Sequence, residues 1–130
     1  MDADEVMQEY GAAWGRGDPA GAFAFYADDV VMHLPGRSSL AGEHRGKAAV
    51  VDAILALLVR TDGLPVTVEV LDRLVSANTV ALVLREVATR GDATLELRRV
   101  NVYRIRDGKI TDIDIFEADQ YEVDAFFGGE

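Results

Sequence analysis

The stretch "LELRRVNVYRIRDGKI", residues 95–110, decides how the chain folds. Read as a β-strand, its alternate residues Leu95, Leu97, Arg99, Asn101, Tyr103 and Ile105 share one face, because successive side chains point to opposite sides of a sheet. Asp107-Gly108 then marks a tight hairpin turn into a following strand. The face opens and closes apolar, yet it carries Arg99 and Asn101 in its middle. A polar group left unpaired in a core costs about 1–3 kcal/mol. Such a stripe fits a sheet that curves around a cavity better than one that closes on a dry core.

The neighbouring segments alternate in the same way. "LPVTVEVLDRLVS", "TVALVLREVATR", "ATLELRRVNVYRI" and "KITDIDIFEA" are rich in β-branched residues, and the breaks at Ala77-Asn78, Gly91-Asp92 and Asp107-Gly108 are short enough for an antiparallel meander. Upstream the period changes. Val6, Met7, Tyr10, Ala13 and Trp14 recur at helical spacing from Asp4 to Trp14, and Gly15 and Gly17 end that helix. Asp18 before Pro19 reads as an N-cap, which places a second helix over Pro19 to Tyr26. "VVMHLPG" reads as a short strand, followed by a polar loop and a third helix through "GKAAVVDAILALLVR". Three helices ahead of a run of strands give one α+β domain over residues 1–130, with the helices on one face of a curved antiparallel sheet.

Composition narrows the function classes. Twenty-three acidic residues against 13 basic ones give a net charge of −10, which argues against nucleic acid and anionic membranes as partners and favours a small ligand. Arg98, Arg104 and Arg106 lie on the other face of the opening strand and read as a solvated surface. Without cysteine there is no disulfide, thiolate nucleophile or sulfur-ligated metal. Apolar runs such as Val50 to Val59 are broken too early to cross a bilayer, and "DADEVMQEY" carries no basic start to a secretory signal, so a cytoplasmic location is expected. His33 and His44 do not have metal-ligand spacing. "GEHRGKA" falls one residue short of a phosphate loop and has Ala48 where Ser or Thr is needed. No metal and no cofactor is expected.

The order of "YGAAWGRGDPAGAFAFYADDVVMHLPG", "LAGEHRGKAAV" and "VYRIRDGKITDIDIFEAD" resembles the nuclear transport factor 2-like superfamily, in particular its SnoaL-like and ketosteroid-isomerase-like members, over about Asp4 to Phe127. The resemblance implies a cystatin-like conical half-barrel with an apolar pocket between sheet and helices. The fold hosts isomerases, cyclases, hydrolases, dehydratases and binding proteins. In the isomerase-like enzymes a helix Tyr and a strand Asp form an oxyanion hole while a second Asp moves the proton. By that resemblance Tyr10 matches the Tyr and Asn101 stands where the oxyanion Asp would be. The base position falls at His33 or Leu34, depending on one residue of register, and Ile115 stands where a SnoaL-like cyclase has its Asp.

The inherited proton acceptor is therefore missing. His33, Glu86 on the stripe Val80-Leu82-Leu84-Glu86, and Glu117 on the stripe Thr111-Ile113-Ile115-Glu117 are the candidate replacements. A hairpin at "RGDA" brings Glu86 within one diagonal cross-strand step of Arg99, which gives either a buried ion pair or an Arg99 that holds an acidic group of a ligand. The expected site has catalytic candidates His33, Asn101, Tyr10, Arg99 and Glu86, with Trp14, Tyr103, Ile115, Glu117 and Leu82 contacting substrate. Tyr10, Trp14 and Asn101 each have a structural reading too, as core aromatics and a backbone-bonded amide. Asp112, Asp114, Asp119, Glu122 and Asp124 read mostly as a solvated face. The leading expectation is a cofactor-independent isomerase, cyclase or dehydratase acting by acid–base chemistry on a small, mostly apolar carbonyl or polyketide-like substrate. The alternatives are a non-catalytic binding protein for an apolar or aromatic ligand, and an assembly module that forms a homodimer through the outer sheet face, to which Val100 and Val102 could contribute.

Overall fold

A computed structural model describes residues 1–60 and 67–127. Helix α1 (Ala3–Gly15) begins where Asp2 and Glu5 form a reciprocal capping box: Asp2 Oδ1 accepts the Glu5 N–H at 2.8 Å and the Glu5 carboxylate accepts the Asp2 N–H. Its apolar stripe, Val6, Met7, Tyr10 and Ala13, is buried. Asp18 caps α2 (Pro19–Phe23) by accepting the Gly21 N–H. This helix stops three residues short of the expected Tyr26. The Phe25 carbonyl accepts the Ile110 N–H at 2.8 Å, and Tyr26 opens strand β1 (Tyr26–Leu34), so sheet pairing claims the segment's backbone. After β2 (Gly42–Arg45) comes α3 (Lys47–Val59). Among the described residues no helix is long and apolar enough to cross a membrane.

Strands β3 (Thr67–Val75), β4 (Thr79–Arg90), β5 (Ala93–Arg106) and β6 (Lys109–Glu117) form the expected antiparallel meander in a six-stranded sheet of order β2-β1-β6-β5-β4-β3. Residues 64–66 of the first expected strand lie outside the described residues. Two features were not expected. Strand β1 joins β6 in parallel, and β2, read above as polar loop, pairs antiparallel with β1 as a short edge strand. Edge strands draw order from backbone bonds and need no apolar face, so "GEHR" gives no alternation signal.

The acidic tail differs more. Residues Gln120–Phe126 form helix α4, capped by Asp119 accepting the Glu122 N–H. Val123 and Phe126 pack on Ala88, Leu95 and Leu97 at one end of the sheet's inner face. Asp119 and Glu122 are exposed as expected of a solvated face, but Asp119 also caps the helix and the half-buried Asp124 accepts the Arg37 backbone N–H at 3.1 Å. The main core lies between α1, α3 and the sheet, where Val6, Tyr26, Val30, Met32, Val50 and Ile110 are almost wholly buried.

Candidate functional site

Cross-strand register fixes which side chains share the inner face. Leu82, Asn101 and Ile115 lie opposite one another across β4, β5 and β6; Leu84, Arg99 and Glu117 form the next row, and Val80, Tyr103 and Ile113 the row on the other side. Val80, Tyr103 and Ile113 are buried in the core. Leu82 and Ile115, which flank Asn101, and Trp14 and Ile54 on the helices pack against that core but retain some exposure. The middle row is therefore flanked by partly exposed side chains of both helices and sheet.

Three ionisable groups meet beside it. Arg99 Nε donates to Glu117 Oε1 at 3.0 Å and Nη2 to Oε2 at 2.5 Å, a two-armed contact, while Nη1 reaches Glu86 Oε2 at 3.4 Å. The side chains of Glu117, Glu86 and Arg99 are only 2%, 12% and 15% exposed. The carboxyl of Glu86 is pushed above its ordinary 4.5: burial raises it most, Arg99 opposes, and the neighbouring charge of Glu117 raises it further. The diagonal Glu86–Arg99 contact expected from the hairpin is present, but the guanidinium fork is taken by Glu117, directly opposite it. This corrects the idea of an Arg99 open to an acidic ligand.

On the other side lies an aromatic cluster. Asn101 Nδ2 donates to the Tyr103 hydroxyl at 3.1 Å, and the Tyr10 and Tyr26 hydroxyls share a hydrogen bond at 2.7 Å. The Tyr10 ring stands edge-on to Trp14 and Tyr103, with centroids 6.3 and 5.6 Å away. Burial pushes the hydroxyls of Tyr10, Tyr26 and Tyr103 well above the usual tyrosine range, so all three remain protonated donors at neutral pH. Asn101 is 8% exposed, and its Oδ1 has no hydrogen-bond partner among the described residues. Turning the amide over would exchange which atom meets Tyr103 and leave the nitrogen with spare capacity instead. Either way one polar atom of a buried amide is left for another molecule.

Of the candidates, Tyr10, Trp14, Leu82, Glu86, Arg99, Asn101, Tyr103, Ile115 and Glu117 all belong to this side of the sheet. His33 does not. It pairs with Asp114 in β6 and Glu43 in β2, whereas its neighbour Met32, opposite Ile113, takes the core. The imidazole is half exposed on the outer face, 3.7 Å from Glu43 and 4.0 Å from Asp114, so the expectation that it lines the cavity is corrected. Leu34 shares the inward phase of Val30 and Met32 and brings no titratable group. His44, in β2 opposite Met32, hydrogen-bonds the Leu40 carbonyl. Tyr26 completes the cluster from the start of β1, a place that the helix expected over Pro19 to Tyr26 does not give it. Two surface clefts, of about 260 Å³ against α4 (Leu95, Leu97, Glu122) and about 390 Å³ near Asp28, Lys47 and Arg106, are lined by neither Asn101 nor Arg99.

Comparisons with known proteins agree with this architecture. The model of the SnoaL-like domain family matches residues 7–113. The uncharacterized protein Rv0034 of Mycobacterium tuberculosis is 33% identical over 130 residues, covering 97% of both chains. A solved protein of unknown function with a cystatin-like fold, from Xanthomonas campestris, superposes with a TM-score of 0.87 at 31% identity, covering 98% of this chain and 99% of that one. An NTF2-like protein from Burkholderia xenovorans LB400 superposes with a TM-score of 0.76 over 95% of this chain and 94% of its own; at 24% identity it speaks to the fold alone.

Proposed function

This chain belongs to the SnoaL-like family, and from that premise we propose that the inner polar row is an acid–base site for a small, mostly apolar carbonyl compound, which the protein isomerises, cyclises or dehydrates. The observation that carries the reading is the buried amide of Asn101, which keeps one unpartnered polar atom between Leu82 and Ile115, one row away from Arg99 and Glu117 and two rows from Glu86. With the amide turned over from the orientation it has here, Oδ1 accepts from the Tyr103 hydroxyl and Nδ2 becomes the free donor for a carbonyl oxygen. Its bond to that oxygen strengthens as negative charge develops there.

Glu86 is the group to move the proton. Glu117 is committed to Arg99 through both oxygens, whereas Glu86 is held by one longer contact. A carboxyl raised above the usual range is a better base than an exposed carboxylate, and its protonated form is available to return the proton. In the simplest cycle the Glu86 carboxylate takes a proton from carbon next to the carbonyl. The C–H electron pair moves into an enolate bonded to Asn101, and the protonated Glu86 returns the proton to a different carbon. Arg99 positions Glu86 and Glu117 without touching substrate.

The test is proton exchange. Incubation of β,γ-unsaturated ketones and enones with the protein in deuterated water, followed by proton NMR, is expected to show protein-dependent loss of the α-proton signal, reduced roughly tenfold or more by Glu86→Gln. Exchange at full rate in that variant would remove Glu86 from the role. A second reading, sequestration of an aromatic ligand, is favoured by the Tyr10, Trp14, Phe23, Tyr26 and Tyr103 ring contacts. It predicts a bound ligand recovered chemically unchanged. The outer sheet face adds an assembly surface: Val83, Val100 and Phe116 form one row and Leu74, Ala81 and Val102 another, with Phe116 and Leu74 58% and 57% exposed. Self-pairing through this face predicts a dimer in sedimentation, and a monomer at high concentration would overturn it.

A further inference from the structure

The polar row also sets which ligand charge it accepts, an inference that rests on reading the row as a ligand site. Two carboxylates, Glu86 and Glu117, face the single guanidinium of Arg99, so with both ionised the group carries a net negative charge. Glu117 occupies two nitrogens of that guanidinium at 3.0 and 2.5 Å, and Glu86 reaches the third at 3.4 Å. A further arginine on this side, Arg73, opposite Leu82, is likewise taken: its Nε and Nη2 donate to Asp4 Oδ1 at 2.8 and 2.5 Å. An acidic ligand entering the row would place a third negative charge around one cation, in surroundings where screening by water is weak.

We propose that Glu117 is the specificity-determining residue of this site: by occupying both arms of Arg99 it withholds the guanidinium from acidic molecules and leaves the row to neutral or cationic ligands, whose donor is met by Glu86. The geometry of the two carboxylates divides the roles. Glu117 lies directly opposite Arg99 and is nearly inaccessible, whereas Glu86 is diagonal to it, more exposed, and bonded through one oxygen. Burial raises the Glu86 carboxyl most, Arg99 lowers it, and the charge of Glu117 raises it further.

Three probes of one shape and different charge test this at pH 7: benzoate, benzyl alcohol and benzylamine, with affinities measured by ligand-observed NMR. The wild type is expected to bind the alcohol and the amine roughly tenfold or more tighter than benzoate. Glu117→Gln keeps the side-chain size and frees Arg99, and is expected to strengthen benzoate binding by about tenfold or more. Glu86→Gln removes the same charge but leaves the two-armed contact, and is expected to strengthen benzoate binding less than about threefold. Benzoate binding by the wild type as tight as that of the alcohol, no benzoate gain in Glu117→Gln, or an equal gain in Glu86→Gln would each overturn the proposal.

Should Glu117→Gln not fold, the wild-type Arg99 Nε–H resonance decides. It is expected to move no more with benzoate than with chloride, and a saturable shift with benzoate would overturn the inference. Failure of the acid–base reading looks different. A protein that prefers the alcohol over benzoate but exchanges no protons keeps this inference and loses that reading; one that exchanges protons yet binds benzoate equally well does the reverse.

Discussion

Asn101 donates its amide to the Tyr103 hydroxyl at 3.1 Å, while the oxygen of the same amide meets no partner among the described residues. A buried acceptor without a donor costs about 1–3 kcal/mol, so a structural amide would use both its ends. Asn101→Leu removes the orphaned oxygen together with one modest hydrogen bond. Its stability in urea is therefore expected to stay within about 1 kcal/mol of the wild type. A loss well beyond that would make the amide structural.

The Tyr10–Tyr26 hydroxyl pair, 2.7 Å apart and buried, has the opposite character. Tyr10→Phe and Tyr26→Phe are each expected to cost about 1 kcal/mol or somewhat more, because each leaves the other hydroxyl with fewer partners. The double variant should cost less than the sum, since one bond cannot be lost twice. Strict additivity in a double-mutant cycle would show that the two hydroxyls do not act as a pair.

Arg99 holds two nearly buried carboxylates apart. Arg99→Met leaves both without a counter-charge and is expected to destabilise the protein at pH 7 by about 3–5 kcal/mol. Lowering the pH protonates the stranded carboxyls, so part of the loss should be recovered near pH 5. Denaturant unfolding of both proteins at the two pH values checks this, and a loss independent of pH would assign the effect to packing alone.

Glu86 makes its own contribution to the pH dependence. Its folded-state pKa lies above its ordinary 4.5, so between those values the folded state binds more protons than the unfolded one and stability falls as the pH rises. The contribution is fully present below about 4.5 and is lost as the pH passes through the folded value. Glu86→Gln does not titrate. It should therefore gain stability relative to the wild type on going from pH 4.5 to 7, and a constant difference across that interval would contradict the raised pKa.

The Arg37 N–H, donated to Asp124, ties α4 to the turn after β1, and Gly36 leaves room for that contact. Its φ of +104° is unfavourable for other residues, and a Cβ there would come within 2.3 Å of Asp124 Oδ1 and 2.5 Å of Gln120 Nε2. Both side chains can swing away, but Asp124 then gives up the Arg37 N–H. Gly36→Ala is expected to cost about 1–3 kcal/mol and to speed amide exchange in residues 120–127 before the meander is affected. Unchanged exchange in α4 would show that this contact does not hold the helix.

Much of this was legible in the sequence because β-strand side chains have a period of two. That period placed Arg99, Asn101 and Tyr103 on one face, and the "RGDA" turn brought Glu86 diagonal to Arg99. The role of Glu117 was not legible, since it depends on the β5–β6 register, which shifts between Arg104 and Ile105. His33 was misplaced by one residue of register. The signal was present, because Val30, Met32 and Leu34 alternate as an apolar set and leave His33 with Val31 on the other face. Helix α4 had a signal as well: Asp119 precedes Val123 and Phe126, which are spaced one helical turn apart, but the surrounding carboxylates masked it. The parallel β1–β6 pairing joins segments about eighty residues apart and has no local signature.

The central claim, that the inner row binds a ligand through Asn101, is tested most directly by thermal-shift screening of the wild type and Asn101→Leu in parallel against steroids, aromatic polyketide-like compounds, epoxides and enones. The expected result is a set of compounds that raise the wild-type melting temperature and leave that of the variant unmoved, because a ligand that binds only the folded site stabilises it by mass action. Compounds that raise both melting temperatures equally, or a panel that shifts neither while Asn101→Leu unfolds far more easily than the wild type, would contradict it.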